Sequence, residues 1–197
     1  PDGYIYDPEG ISTDEKVTFL LDLRSSGKNI CAPYAEKFPE AKFVAGKKPW
    51  GVCQDFGIKV DMFIPCAMQN DVHMADAENI VASGCKFYCE GANMPTTLEA
   101  TKYLQENGVL FVGGKAANAG GVATSALEMS QNSERLSWTF EEVDGKLKGI
   151  METIYANISD AAKRYDMTVG GKTDYVAGAN IAGFEKVVDA MLAQGVC

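Results

Sequence analysis

Short apolar runs alternate with helical patterns through the middle of the chain, and this alternation constrains the fold more than any other feature. Apolar runs at 60–64, 87–89 and 109–112 predict strands, and each is followed by small or turn-forming residues. Apolar residues at helical spacing predict helices over 74–82 and 97–106. Such a series, with connections of a few residues, is typical of a parallel sheet covered by helices on both faces. We therefore expect an α/β protein.

The residues before this region carry weaker signals. A capping box with Ser12 as N-cap and Glu15 at N3 predicts a helix that ends near Gly27. A short helical turn over 32–37 and a strand over 42–44 follow, whereas the first residues of the chain have the composition of a turn.

The residues after this region predict mainly helix. Apolar residues at steps of three and four predict helices over 122–133, 139–165 and 181–194. Glu141 and Glu142 would lie in the first turn of the second helix, where they complement the helix dipole. Gly170-Gly171 would end that region.

The charge balance excludes several classes of function. The chain has 197 residues, and its 18 basic and 27 acidic side chains give a net charge of −9. A nucleic-acid-binding protein needs a basic face to displace counterions from phosphates, and docking on an anionic membrane needs basic residues too. No apolar run reaches the roughly 20 residues of a membrane span, and the first residues show no signal-peptide pattern.

The cysteine and histidine content does not predict a metal site. The six cysteines form no C-x-x-C pair, and His73 is the single histidine. Cys85 and Cys89 flank a predicted strand, and at ~3.3 Å per residue they would lie about 13 Å apart, too far to share a metal ion. We expect free thiols in a reducing cytoplasm, and a role for His73 at the start of a helix rather than in catalysis.

Three amide side chains follow three successive predicted strands. They are Gln69, Asn93 and Asn118, and each lies among Gly, Ala and Pro residues. These residue types can serve turn geometry alone. However, the carboxyl ends of parallel strands meet at one sheet edge, so the three amides can also bind a polar small molecule there. A G-x-G-x-x-G fingerprint is absent, so residue patterns alone do not name the ligand.

Longer strings within these segments resemble the hexameric glutamate dehydrogenases. Residues 90–97, EGANMPTT, are similar to the E-G-A-N-M-P-T-T of that family. Residues 115–125, KAANAGGVATS, are similar to its K-A-x-N-A-G-G-V-x-x-S segment. Further matches are PCAMQN at 65–70, EMSQN at 128–132 and VAGANIAGF at 176–184. The resemblance covers essentially the whole chain.

The resemblance implies a partial Rossmann-type fold, a doubly wound parallel sheet followed by C-terminal helices. Residues 1–134 would form the later part of an NAD(P)-binding domain, and residues 135–197 would form helices that pack on it or bridge from it. In the family, the glycine fingerprint and the first two strands precede a segment like the start of this chain. We therefore expect this chain to be the C-terminal part of a longer dehydrogenase.

The resemblance also implies roles for residues in a site for NAD or NADP. Ala67 and Gln69 would lie beside the nicotinamide ribose, and Asn93 would line the nicotinamide crevice. Asn118 would hydrogen-bond the carboxamide and help to select the ring face that meets the substrate. Met68 stands where many family members have Thr, so a hydroxyl contact to the cofactor would be lost there.

On the substrate side, the resemblance implies that Val122 contacts the aliphatic part of glutamate and that the Ser125 hydroxyl contacts its side-chain carboxylate. The implied reaction is the reversible oxidative deamination of L-glutamate to 2-oxoglutarate and ammonia, in a hexameric parent. No catalytic residue of the family falls in this chain, so the isolated chain is expected to be inactive. Two alternatives are a non-catalytic nucleotide-binding or interaction module and a related amino-acid dehydrogenase.

Overall fold

The computed structural model describes residues 2–28 and 30–195, and it divides the chain into two compact units, residues 1–59 and residues 60–197. The predicted boundary near residue 134 stays a prediction. Of the cysteines predicted to be thiols, Cys197 lies outside the described residues, and the other five form no disulfide bond among the described residues. Among the described residues, no helix is both long enough and apolar enough to span a membrane.

The first unit contains a two-stranded antiparallel sheet. Strand β1 (Gly3–Tyr6) pairs with β2 (Lys42–Ala45), so that Gly3 lies opposite Ala45. The strand predicted over 42–44 is confirmed, but the turn predicted at the start of the chain is wrong, because the aromatic and β-branched residues of GYIY pair with this distant strand. The helices of the unit are α1 (Asp14–Ser25), α2 (Ala32–Lys37) and α3 (Val52–Phe56), the last preceded by a 3-10 turn at Pro49–Gly51.

Helix α1 confirms the predicted helix but begins one residue later than predicted. The N-cap is Thr13, whose hydroxyl oxygen accepts a hydrogen bond from the Lys16 N–H at 3.3 Å, and not Ser12. The helix turns the Lys16 ammonium inward, 2.8 Å from Asp7 Oδ2 and 3.4 Å from Glu40 Oε1. Asp7 and Lys16 form a buried group with Tyr34, whose hydroxyl donates to Asp7 Oδ2 at 2.6 Å, and Glu40 lies at its partly exposed edge.

The stability of the first unit should depend on pH through Asp7. Burial alone would raise the pKa of Asp7, but hydrogen bonds from Lys16 and Tyr34 outweigh burial and hold the pKa below its ordinary value of 3.8. A depressed pKa in the folded state stabilises the fold above the ordinary pKa, and this contribution is lost as the pH falls through the folded-state value. We therefore expect Asp7→Asn to lower the melting temperature at pH 7, and this difference to shrink progressively as the pH falls below about 4.

Trp50, which is buried in this unit, can report the transition when Trp138 in the second unit is replaced by Phe. Glu9→Gln is the matched control, because Glu9 approaches the same lysine at 3.6 Å but its side chain is 69% exposed. An exposed pair contributes little, so this control should melt like the parent protein. A gap between Asp7→Asn and the parent that stays constant down to pH 3 contradicts the assignment.

The second unit is built on a parallel sheet with the strand order β3-β4-β5. The strands are β3 (Met62–Phe63), β4 (Phe87–Cys89) and β5 (Leu110–Val112), which confirms three predicted strands, although the first is shorter than the run at 60–64. Helix α4 (Met74–Ala82) connects β3 to β4, and α5 (Leu98–Glu106) connects β4 to β5, both as predicted. The predicted α/β fold with a parallel sheet is thus confirmed.

Helices make up most of the chain after the sheet. They are α6 (Gly114–Ala117), α7 (Ala119–Glu134), α8 (Phe140–Arg164) and α9 (Tyr175–Gln194). Helix α8 begins at a capping box in which Thr139 and Glu142 exchange side-chain and backbone hydrogen bonds, and Glu141 and Glu142 lie in its first turn as predicted.

Helix α9 begins six residues before the predicted start at Ile181. Asp174 Oδ1 accepts hydrogen bonds from the Val176 and Ala177 N–H groups, both at 3.0 Å, so the residues expected to form a loop before the helix lie within it. A hairpin that was not predicted precedes the helix. Its strands are β6 (Thr168–Val169) and β7 (Lys172–Thr173), joined by Gly170-Gly171.

Candidate functional site

An open cleft of about 590 Å³ lies at the carboxyl ends of β3, β4 and β5. It collects six of the seven predicted site residues, which come from the three loops that follow these strands and from the start of α7: Ala67, Met68, Gln69, Asn93, Asn118 and Val122. Ser125, the seventh, is not part of the cleft lining. The sequence-based expectation that three strand ends converge on one edge is therefore confirmed, because parallel strands all present their carboxyl ends there.

Backbone hydrogen bonds hold the loops after β3 and β4 side by side. The Pro65 carbonyl oxygen accepts hydrogen bonds from the Gly91 and Ala92 N–H groups, at 3.0 and 2.9 Å. Further on, Val72 pairs in parallel with Thr96, so the two loops continue the sheet for a short distance. These bonds form one wall of the cleft without using any of the predicted amide side chains.

Two amide side chains meet across the cleft. Asn118 Nδ2 donates a hydrogen bond to Asn93 Oδ1. Asn118 ends α6 and is also the residue before α7, whereas Asn93 follows β4. Each amide has two donor hydrogens and an acceptor oxygen, so the pair keeps donors and acceptors for a ligand after satisfying one another. The arrangement can bind a planar polar group such as a carboxamide.

The exposed start of α7 forms the opposite side of the cleft. The Val122 side chain is 72% exposed and offers an apolar surface. Ser125 lies about one turn further along the helix, where its hydroxyl donates to the Gly121 carbonyl oxygen at 3.2 Å. A serine that bonds to the preceding turn can exchange that bond for a ligand.

A buried carboxylate below the amide pair was not predicted. Glu90 follows β4 and is only 6% exposed, and its Oε2 accepts a hydrogen bond from the Gly114 N–H at 2.7 Å. The available signal was an acidic residue directly after a buried strand, a position where an uncompensated charge would be costly.

Other titratable groups near the sheet are kept in their neutral forms by burial. Burial raises the pKa of the Cys85 and Cys89 thiols, and it raises the pKa of Tyr88 as well. Tyr88 stacks on Phe111 and its hydroxyl shares a hydrogen bond of 2.8 Å with Thr96. These side chains pack against the sheet, and their raised pKa values keep them protonated, so they do not supply a nucleophile.

His73 has the structural role that the sequence indicates. It precedes α4, and its backbone N–H donates to the Asp76 carboxylate at 2.9 Å. Within residues 2–28 and 30–195, no group of three or more His, Cys, Asp and Glu side chains could hold a metal ion.

A larger groove of about 790 Å³ lies along α8 and α9, away from the predicted residues. The basic side chain in its lining, Arg164, already has partners, because its guanidinium pairs with Asp160 and with Glu185, each at 2.7 Å. We therefore consider the cleft at the strand ends, with its facing amides, as the candidate site.

Comparison with known proteins places these features in a family. Residues 1–195 match the family model described as glutamate/leucine/phenylalanine/valine dehydrogenase. The chain is 52% identical to the NAD-specific glutamate dehydrogenase of Clostridium symbiosum over 100% of its length, and 50% identical to the NADP-specific glutamate dehydrogenase of Haemophilus influenzae over 98%. A solved glutamate dehydrogenase superposes with a TM-score of 0.87 over 100% of the chain, at 52% identity.

The comparisons also show how much of the relatives is matched. The chain spans 41% of the length of both curated relatives and 42% of the solved structure. The similarity therefore extends over essentially the whole of this chain but concerns less than half of each relative.

Proposed function

Because this chain belongs to the glutamate/leucine/phenylalanine/valine dehydrogenase family, we propose that it supplies the nicotinamide side of the cofactor site in an NAD- or NADP-dependent glutamate dehydrogenase. The reaction is the reversible oxidative deamination of L-glutamate to 2-oxoglutarate and ammonia. The observation that carries the proposal is the hydrogen-bonded pair of Asn93 and Asn118 in the cleft at the strand ends.

The residues of the cleft suit a nicotinamide nucleotide. A volume of about 590 Å³ lies within the usual range of small-molecule sites, and small residues such as Ala67 and Gly91 let a ligand approach the backbone. Asn118 would hydrogen-bond the carboxamide, and Asn93 would hold the Asn118 amide in place. Ala67 and Gln69 would lie beside the nicotinamide ribose. When bound, the nicotinamide ring supplies or accepts the hydride.

The substrate would lie against the start of α7. Val122 would contact the aliphatic part of glutamate, and the Ser125 hydroxyl would donate to its side-chain carboxylate in place of the Gly121 carbonyl oxygen. These residues orient the substrate and exclude water, and neither transfers a proton. We accordingly expect the 197-residue chain alone to be inactive, with the catalytic groups elsewhere in a hexameric parent. The free thiols among the described cysteines suit a cytoplasmic location.

Calorimetric titration of the chain with NAD⁺ and with NADP⁺ tests the proposal. We expect one of the two to bind, and Asn118→Ala to weaken that binding about tenfold, the usual effect of losing one good hydrogen bond. Asn107→Ala is the matched control. Asn107 is an exposed asparagine, whereas Asn118 is half-buried, and its amide also makes one hydrogen bond, to the Tyr103 carbonyl oxygen at 2.8 Å. It precedes β5, at the opposite end of the strand.

The result has three informative outcomes. Weaker binding by Asn118→Ala alone supports the site. Equal binding by Asn118→Ala and the parent chain contradicts the role of Asn118. If neither nucleotide binds, the chain does not hold a working cofactor site, which favours a non-catalytic module.

A further inference from the structure

A closed ring of contacts joins the loop that follows β4 to helix α6, which follows β5. Glu90 Oε2 accepts a hydrogen bond from the Gly114 N–H at 2.7 Å, and the Gly114 carbonyl oxygen accepts one from the Asn118 N–H at 3.0 Å. The Asn118 side chain then donates to Asn93, which lies three residues after Glu90 in the chain. The exposed hydrogen bond of the amide pair and the buried Glu90 carboxylate therefore lie on the same ring of contacts.

Glu90 is a buried member of this ring. At 6% exposure its carboxylate has little access to water, so hydrogen bonding within the protein must offset the loss of hydration. The hydrogen bond from the Gly114 N–H to Glu90 is the buried side-chain bond of the ring, whereas the bond between Asn118 and Asn93 is exposed. Solvent therefore competes less with the bond to Glu90.

Gly114 transmits the position of Glu90 to the amide pair. A Cβ added to Gly114 would lie 2.8 Å from the Ala92 carbonyl oxygen and 3.4 Å from Asn118 Nδ2. The backbone of residue 114 therefore contacts the loop after β4 and the Asn118 amide at the same time. Because the Asn118 N–H also bonds to the Gly114 carbonyl oxygen, we expect a displacement of Gly114 to change the distance between Asn118 and Asn93.

We propose that Glu90 is a positioning residue for the cofactor cleft. Its carboxylate fixes the start of α6, and α6 in turn presents the Asn118 amide already paired with Asn93. This inference rests on the proposed function, because it assigns Glu90 to the part of the site that would meet the nicotinamide. Glu90 itself touches no ligand, and it acts through Gly114 and Asn118.

The first test needs no ligand. In ¹⁵N-labelled chain, Glu90→Ala should speed hydrogen exchange of the Gly114 amide about tenfold or more and should shift the side-chain amide resonances of Asn118 and Asn93. Glu90→Gln keeps an acceptor oxygen of the same reach, so it should give intermediate values and also guards against a failure of Glu90→Ala to fold. The Asn107 side-chain amide serves as an internal reference that should not move.

Tyr88→Phe is the matched control for general loosening. It removes a buried hydrogen bond, from the same strand end, that lies outside the ring, so it should lower stability without shifting the Asn118 amide. Unchanged Gly114 exchange and Asn118 resonances in Glu90→Ala overturn the proposal. So does a Tyr88→Phe variant that shifts Asn118 as much as Glu90→Ala does.

The second test compares NAD⁺ or NADP⁺, whichever binds, with the corresponding nucleotide lacking nicotinamide: ADP-ribose or its 2′-phosphate. Glu90→Ala should weaken the dinucleotide about tenfold and leave the shortened nucleotide unchanged, because only the nicotinamide end meets the amide pair. Equal losses for both ligands overturn the positioning role. If the parent chain binds neither ligand, the proposed function fails, and the resonance test still decides whether Glu90 positions Asn118.

Discussion

Gly178→Ala is expected to destabilise the unit formed by residues 60–195 by about 3 kcal/mol, the upper part of the usual range for overpacking. Gly178 is buried where α9 crosses α8, and an added Cβ would overlap the Ile158 carbonyl oxygen and lie 3.0 Å from the Ala162 Cβ. A backbone oxygen within a helix cannot move aside as a flexible side chain can. The two helices must therefore separate, and they lose contact along their shared face.

Gly183→Ala, in the same helix, is the control, and it is expected to raise the free energy of unfolding. Gly183 also lies within α9, but nothing lies within 4 Å of a Cβ added there. Alanine at an open helical position stabilises a protein by about 0.5–1 kcal/mol relative to glycine. Urea unfolding of both variants checks the prediction. Similar free energies of unfolding for Gly178→Ala and the parent chain would show that the helices are not in close contact at Gly178.

Gly170→Ala is expected to lower the free energy of unfolding by about 3 kcal/mol, from two separate causes. Gly170 has a φ of 55°, a left-handed conformation that costs other residues roughly 1–2 kcal/mol. In addition, an added Cβ would overlap the Gln105 carbonyl oxygen and lie 3.0 Å from the Gly108 backbone nitrogen. The hairpin between β6 and β7 would have to lift away from the end of α5.

Gly171 separates the two causes. Its φ is 74°, but nothing lies within 4 Å of an added Cβ. Gly171→Ala should therefore lower the free energy of unfolding only by the cost of the left-handed backbone, about 1 kcal/mol. Thermal unfolding of the two variants, measured side by side, gives the cost of the close approach as the difference. Equal losses would mean that strain alone accounts for both.

Local patterns were sufficient where the interactions are local. The bounds of α4 and the strand β4 agree with prediction, because the apolar spacing and the Ser83-Gly84 pair that separates the two elements act within a few positions of one another. The capping box at Thr139 and Glu142 is local in the same sense. The gathering of Ala67, Gln69, Asn93 and Asn118 at one edge followed from the alternation of strands and helices, since parallel strands end on the same side.

Local patterns failed where distant residues decide. Thr13 rather than Ser12 caps α1, although both residues are suitable caps, and Lys16 in the first turn of this helix pairs with the distant Asp7. The glycines after Tyr175 suggested a loop, yet Gly178 lies within α9. This position requires glycine because α8 approaches it too closely for a larger residue.

The sequence by itself determined the α/β class, the order of most elements and the meeting of Gln69, Asn93 and Asn118 at one sheet edge, since these depend on periodicity and on turn-forming residues. Only the tertiary structure decided that β1 pairs with β2, that Gly178 lies where two helices cross, and that Glu90 is a buried carboxylate beneath the amide pair. The physical reason is that pairing, close approach and burial depend on residues far apart in the chain, and no local pattern records which of them meet.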